Sequence, residues 1–239
     1  MSQTLSLFEN GCLSLGVRLS ESQSTKFQRY FEQLIEWNGY FNLTSITENE
    51  QVQTKHFLDS MSLIISGLEF EDKSLLDVGS GAGFPGIPLK ILFPSLKLTL
   101  LEASSKKCHF LEHVTNILEL NEVKVCNERA EVQAHQPEFR ENFDLVAARA
   151  LASLDVLVEL CLPFCAIGGH FVAMKSGSEQ ELHDAGNSLA TMGGKISQDI
   201  EVNLPGISET RHLIIIDKIS RTPAKYPRRP GIPRKRPVR

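Results

Sequence analysis

Apolar positions along this chain change period once. Over the first 70 residues they recur at helical spacing. Phe27, Tyr30, Phe31, Leu34 and Ile35 share one stripe, which predicts an amphipathic helix capped in the Ser20/Ser22 region. Asn38-Gly39 signals a turn among Trp37, Tyr40 and Phe41, aromatics whose spacing assigns them to core. Thr47 with Glu50 reads as a capping box for a second helix running to about Ser66. On that helix His56 and Asp59 lie three apart and share a face, the spacing of a surface pair, although a helix facing a ligand could use both. Residues 1–70 are expected to form a helical cap.

From Leu75 the pattern alternates. Short apolar runs near 75–78, 97–102, 123–127, 143–148 and 170–175 read as strands. Helical stretches separate them, among them the stripe Phe110, Leu111, Val114, Ile117 and Leu118 and a polar helix from about Ser178. Strands and helices in alternation require a mostly parallel α/β sheet with right-handed crossovers. Two last strands, near 196–204 and 212–219, have no helix between them and predict an antiparallel edge hairpin. Residues 71–220 are thus one Rossmann-like domain. From Arg221 five prolines stand among basic residues, so residues 221–239 are expected to be extended and poorly packed.

The stretch from Leu75 to Pro94, LLDVGSGAGFPGIPLKILFP, is the informative one. A strand ends at Asp77, glycines alternate at 79, 81 and 83, and a helix opens around Gly86. Glycine allows positive φ and close approach of backbone N–H groups to a ligand, and the helix start adds free donors. Gly81, Gly83 and Gly86 satisfy GxGxxG, with Glu102 about 20 residues on, which suits a dinucleotide. Asp77 could instead accept from the loop or a ligand ammonium, and bulky Phe84 and Pro85 crowd the path of a pyrophosphate. Those two features suit S-adenosylmethionine. On spacing alone both donors stay open, as does a turn that serves packing only.

Ligands of open α/β sheets sit beyond the carboxyl ends of the strands. That rule selects Asp77 and the glycine loop, Glu102 for ribose hydroxyls, Arg129, Ala130 and Glu131 near an adenine, then Arg149 and Lys175. Each has a plainer reading as a helix cap or surface charge. Arg149 interrupts the apolar run FDLVAARALASL, where a charge needs a partner. No Asn/Asp-Pro-Pro-aromatic motif and no Pro-Cys nucleophile occurs. Attack by a ring nitrogen that owns a lone pair, such as guanine N7, needs neither.

Composition adds a polarity to the chain. Net charge is −4, yet residues 225–239 carry seven Lys or Arg and no acid, so the rest sums to −11. An acidic body with a basic tail suits a polyanionic partner reached by Lys225, Arg228, Arg229, Arg234, Lys235 and Arg236, or a merely solvated extension. Five cysteines without a CxxC pair and scattered histidines argue for reduced thiols and no metal site. Neither a signal peptide nor a membrane span is apparent. A cytoplasmic monomer without membrane or DNA partner is expected.

Taken together, DVGSGAGFPGIPL (Asp77 to Leu89), the LLE–KK segment (Leu100 to Lys107), the ARA around Arg149, MKSG (Met174 to Gly177), NLT (Asn42 to Thr44) and KYPRRPGIPRKRP (Lys225 to Pro237) closely resemble the bacterial 16S ribosomal RNA guanine-N7 methyltransferase family, known as RsmG or glucose-inhibited division protein B. The resemblance implies a class I S-adenosylmethionine-dependent methyltransferase fold. It implies S-adenosylmethionine as donor and N7 of a guanine in the 530 loop of small-subunit rRNA as acceptor. Carried over by position, its cofactor contacts fall on Gly79, Phe84, Ala130, Glu131 and Arg149, to which the strand-end rule adds Asp77, Gly81 and Glu102. It implies no assigned general base. The rival readings are a nicotinamide oxidoreductase, a small-molecule methyltransferase and a non-enzymatic RNA-binding protein.

Overall fold

A computed structural model describes residues 5–176 and 179–238. Gly177 of the MKSG segment, Ser178 at the expected helix start and Arg239 lie outside the described residues. The sheet comprises β1 (Ser74–Val78), β2 (Lys97–Glu102), β3 (Val123–Asn127), β4 (Phe143–Arg149), β5 (Cys165–Lys175), β6 (Gly194–Val202) and β7 (Arg211–Lys218), in the order β3-β2-β1-β4-β5-β7-β6. Strands β1 to β5 pair in parallel. Strand β7 runs antiparallel between β5 and β6, which makes the expected edge hairpin.

The strand sequences explain these positions. Strands β1 and β4 carry near-continuous apolar runs because helices cover both their faces. Strand β6, GKISQDIEV, is polar and largely exposed, as suits an edge. Sheet order reverses between β1 and β4, so their carboxyl ends open a crevice there.

Alternation along β1 divides the core. Leu75 faces a cluster built with Phe8, Phe27, Tyr30 and Phe57 of the N-terminal helices. Leu76 and Val78 face a second cluster with Leu154, Leu157 and Phe164. Helix Glu21–Asn38 starts as expected: Gln23 N–H donates to Ser20 Oγ and Ser20 N–H to Gln23 Oε1.

Two expectations need correction. The second cap helix starts at Asn49 after Glu48, without a side-chain cap, so Thr47 and Glu50 form no capping box there. It then widens into a π-type turn over Gln53–Leu58 and tightens into a 3-10 turn over Ser62–Ser66. Such a turn leaves carbonyls free for other donors.

The tail is also not loose. Arg140 donates to the carbonyls of Ala134, Thr222, Pro223 and Tyr226, and the His135 ring bonds the Pro227 carbonyl. Prolines cannot donate, but they leave carbonyls free, and one guanidinium satisfies several of them. Arg228 closes on the fully buried Glu159 at 2.6 Å. That pairing gives Arg228 a second, structural task beside its expected RNA contact, because a buried carboxylate requires a countercharge.

Candidate active site

The glycine loop continues the β1 ladder. Gly79 and Ser80 N–H groups both reach the Leu101 carbonyl. Gly81 then turns with φ +60°, and a Cβ added there would meet nothing nearer than 3.9 Å, so the loop presents an open cradle of backbone. Glu102 locks that cradle: its carboxylate accepts from Gly81 N–H at 2.9 Å and Ser104 N–H at 2.8 Å. Each oxygen retains a lone pair for a further donor.

Asp77 lies beneath the loop, fully buried. Its Oδ2 accepts from Gly86 N–H at 2.9 Å while Oδ1 has no partner. A Cβ on Gly86 would press against that Oδ2, which is why the helix start is glycine. Burial pushes the Asp77 carboxyl up to about 7, against the lowering effects of the Gly86 bond and Arg149. Contrary to the expectation from sequence, the helix therefore does not offer its first donors to a ligand. Gly86 N–H goes to Asp77 and Ile87 N–H to the Gly83 carbonyl. The Phe84 ring is likewise buried, stacked between Tyr30 at 5.3 Å and His56 at 4.5 Å, so only its main chain belongs to the loop surface.

Two cavities flank the end of β4. One, of about 320 Å³, is lined by Gly79, Glu102, Glu128, Ala130, Glu131 and Leu151, with Gly231 and Arg234 from the tail. Its size lies at the lower end of small-molecule pockets, ~300–1,000 Å³. The other, of about 230 Å³, is lined by Lys55, His56, Asp59, Arg149, Lys175 and Arg211 among others. The partition is Arg149–Ala150–Leu151. Ala150 adopts φ +50°, which costs about 1 kcal/mol for a non-glycine residue.

The second cavity is organised around Arg149. Its Nη1 donates to Asp59 Oδ2 at 2.9 Å and to the carbonyl of Lys55, which lies in the π-type turn, at 2.9 Å. Its Nη2 lies 3.2 Å from His56 Nδ1. A guanidinium only donates, so Nδ1 holds a lone pair and Nε2 the proton, which is given to Thr44 Oγ1 at 2.8 Å. His56 is neutral, held down to about 3 by burial first and by Arg149 second. Asp59 also faces Arg211, Nε to Oδ1 3.2 Å, as an ion pair without an aligned hydrogen bond. Lys175 pairs with Glu181 at 2.8 Å and donates to the Ala152 carbonyl.

The selected residues are therefore divided. Gly79, Glu102, Ala130 and Glu131 share one cavity, while Arg149 and Lys175 share the other. Asp77 and Phe84 support the loop from below. Sequence reasoning saw that His56 and Asp59 share a face but favoured a surface pair, whereas both are buried, and it missed Arg211. The signals were that shared face and the unpartnered Arg149 in an apolar run.

The GidB family, described as rRNA small subunit methyltransferase G, matches residues 23–214. The chain belongs to that family. A ribosomal RNA small subunit methyltransferase G of Dehalococcoides mccartyi is 49% identical over 229 residues, covering 95% of this chain and 97% of the relative. One from Alkaliphilus metalliredigens is 44% identical over 98% of both. Among solved structures, an S-adenosylmethionine-dependent methyltransferase from Aquifex aeolicus superposes with a TM-score of 0.54 at 15% identity, over 73% of this chain and 96% of that one. The last shows the fold.

The chain is thus a methyltransferase whose donor is S-adenosylmethionine. Its residues fit that group. The Gly81 cradle is open where a Cβ would stand, and the Glu102 oxygens can take ribose hydroxyls. Among the described residues no helix is long and apolar enough to cross a membrane.

Proposed function

We propose that this chain methylates N7 of one guanine in the 530 loop of 16S rRNA, on the small ribosomal subunit or its precursor. The reading rests on one observation: a carboxylate-lined cavity and a cation-lined cavity share the Arg149–Ala150–Leu151 wall. The names of the relatives support the choice of small-subunit rRNA.

When bound, the donor supplies an electrophilic methyl on a sulfonium. On this reading Gly79, Gly81 and the main chain of Phe84 receive its amino-acid end, with Asp77 fixing the loop from beneath. Glu102 holds the ribose, Ala130 and Glu131 meet the adenine, and the main chain of Arg149 closes the wall. The target guanine leaves its stack to enter the second cavity. N7 attacks with its own lone pair, so the chain supplies alignment and a water-poor site rather than a base. His56 serves no base role, because its free lone pair is engaged by Arg149. It orients that guanidinium.

Arg149, Arg211 and Lys55 face the RNA. Lys175, neutralised by Glu181, steadies the wall through Ala152. Lys225, Arg229, Lys235 and Arg236 are exposed and add phosphate contacts. The protein acts as a cytoplasmic monomer.

The test is transfer of labelled methyl to unmodified small-subunit rRNA, free and as particles, with mass mapping of the product. One methyl on N7 of a single 530-loop guanine is expected. Label on another atom or another loop, or on neither substrate, overturns the reading.

A further inference from the structure

The C-terminal segment divides at Arg228. Before it, Thr222 to Pro227 is held by Arg140 and His135 on the body. Arg228 itself is clasped by Glu159 through its main-chain N–H at 2.9 Å and its guanidinium at 2.6 to 3.2 Å. Beyond it the chain crosses the carboxylate-lined cavity. Gly231 N–H donates to Glu131 Oε1 at 3.0 Å. Arg234 Nη2 donates to the Leu151 carbonyl at 2.9 Å, and Arg228 Nη2 reaches back to the Arg236 carbonyl at 2.7 Å. Both Gly231 and Arg234 line that cavity, although neither lies within the residues that the family match covers.

We propose that residues 229–236 are a strap over the methyl-donor site, with Arg234 and Gly231 as positioning residues for the donor. The inference rests on the reading that this cavity takes S-adenosylmethionine. The strap's two contacts with the cavity wall go to Glu131 and Leu151, residues that also line the donor space. A molecule filling that space meets the docked strap and not the undocked one. Donor binding and strap docking are then linked, and each strengthens the other by the same factor. The firm clasp at Glu159 makes Arg228 the fixed end, while the part beyond it is held by a few hydrogen bonds to partly exposed groups, by the buried Pro233 and by the packed Val238, and the strap requires these to release together without the body.

The experiment uses the full chain and two variants, Gly231→Pro and Arg234→Ala. Proline at 231 can neither donate to Glu131 nor adopt the observed φ of +80°. Arg234 is exposed, so its replacement leaves the core intact. Affinity for S-adenosylhomocysteine is measured by calorimetry, and tryptic cleavage after Lys235 is timed with and without it. The dissociation constant should rise ~10-fold in Gly231→Pro and ~5-fold in Arg234→Ala, with Tm of the ligand-free chains little changed. In the unmodified chain, cleavage after Lys235 should slow in proportion to site occupancy. Unchanged affinity in both variants, or cleavage after Lys235 that ignores the ligand, overturns the strap while leaving the donor reading intact. A full chain that binds no S-adenosylhomocysteine overturns both.

Discussion

The two cavities at the end of β4 are neighbours of opposite character. The one over the glycine loop is lined by three carboxylates and backbone with Arg129 and Arg234 beside them, and its key acid, Glu102, is held by N–H groups two and twenty-one residues away in sequence. The one beside it is walled by cations, and two of them, Arg149 and Arg211, share a single buried acid, Asp59, drawn from a helix some 90 residues distant from Arg149. The first is built by a local motif and suits a donor shared by many enzymes. The second is built by tertiary packing and suits one acceptor. On the proposed reading, specificity belongs to the part of the molecule that the glycine loop does not encode.

Asp59→Ala strikes the acceptor side hardest. It strands two guanidiniums against a mostly buried site, and unfolding free energy should fall by about 3 kcal/mol, read by urea titration. Methyl transfer to rRNA should fall by roughly 100-fold with donor affinity within about twofold, since ~2.7 kcal/mol is a hundredfold. An equal loss of donor affinity would erase the distinction between the cavities. Glu102→Ala is the reciprocal test. Loss of a charge-assisted hydrogen-bond acceptor should raise the donor dissociation constant about tenfold while rRNA affinity holds, as calorimetry and filter binding would report.

A pH series separates the sides differently. His56 is held down to about 3 from an ordinary 6.5. The unfolded chain therefore takes up a proton that the folded chain refuses, and stability present above pH 6.5 is lost as pH falls toward 3. Asp77, raised to about 7, has the opposite sign: stability is lost as pH rises from about 3.8 through 7. The two oppose one another between 3.8 and 6.5. In His56→Gln the acid-sensitive member is gone, so Tm relative to the parent chain should climb by about 5 °C between pH 7 and pH 5. A constant offset would show that His56 titrates normally.

The mildest effect belongs to the tail. Replacing Arg229, Lys235 and Arg236 with Ala should lower the slope of log affinity against log salt by about 2. Arg228→Ala should lower Tm, because its charge neutralises Glu159.

Much of this was legible. The change from helical to strand period placed the cap and the sheet, and the glycine spacing with Glu102 marked the donor side. Helix starts were less so. The cap in the Ser20/Ser22 region was readable, whereas the Thr47 box, at the same spacing as Ser20 and Gln23, lost to a helix that starts at Asn49 and packs its Phe57 into the aromatic core. The tail was misread because composition counts prolines and charges but not the carbonyls that Arg140 collects or the acid that Arg228 meets.

The sequence by itself determined the order of elements and the glycine loop, since periodicity, glycine conformation and capping act over a few residues; the donor followed from the family resemblance, not from spacing. It also showed that Arg149 required a partner. Which partner, and that Asp59, His56 and the far end of the chain converge on one strand end, only the tertiary structure decided. Pairings across 70 to 100 residues depend on sheet order and on which buried charges are left unmatched once the core has closed.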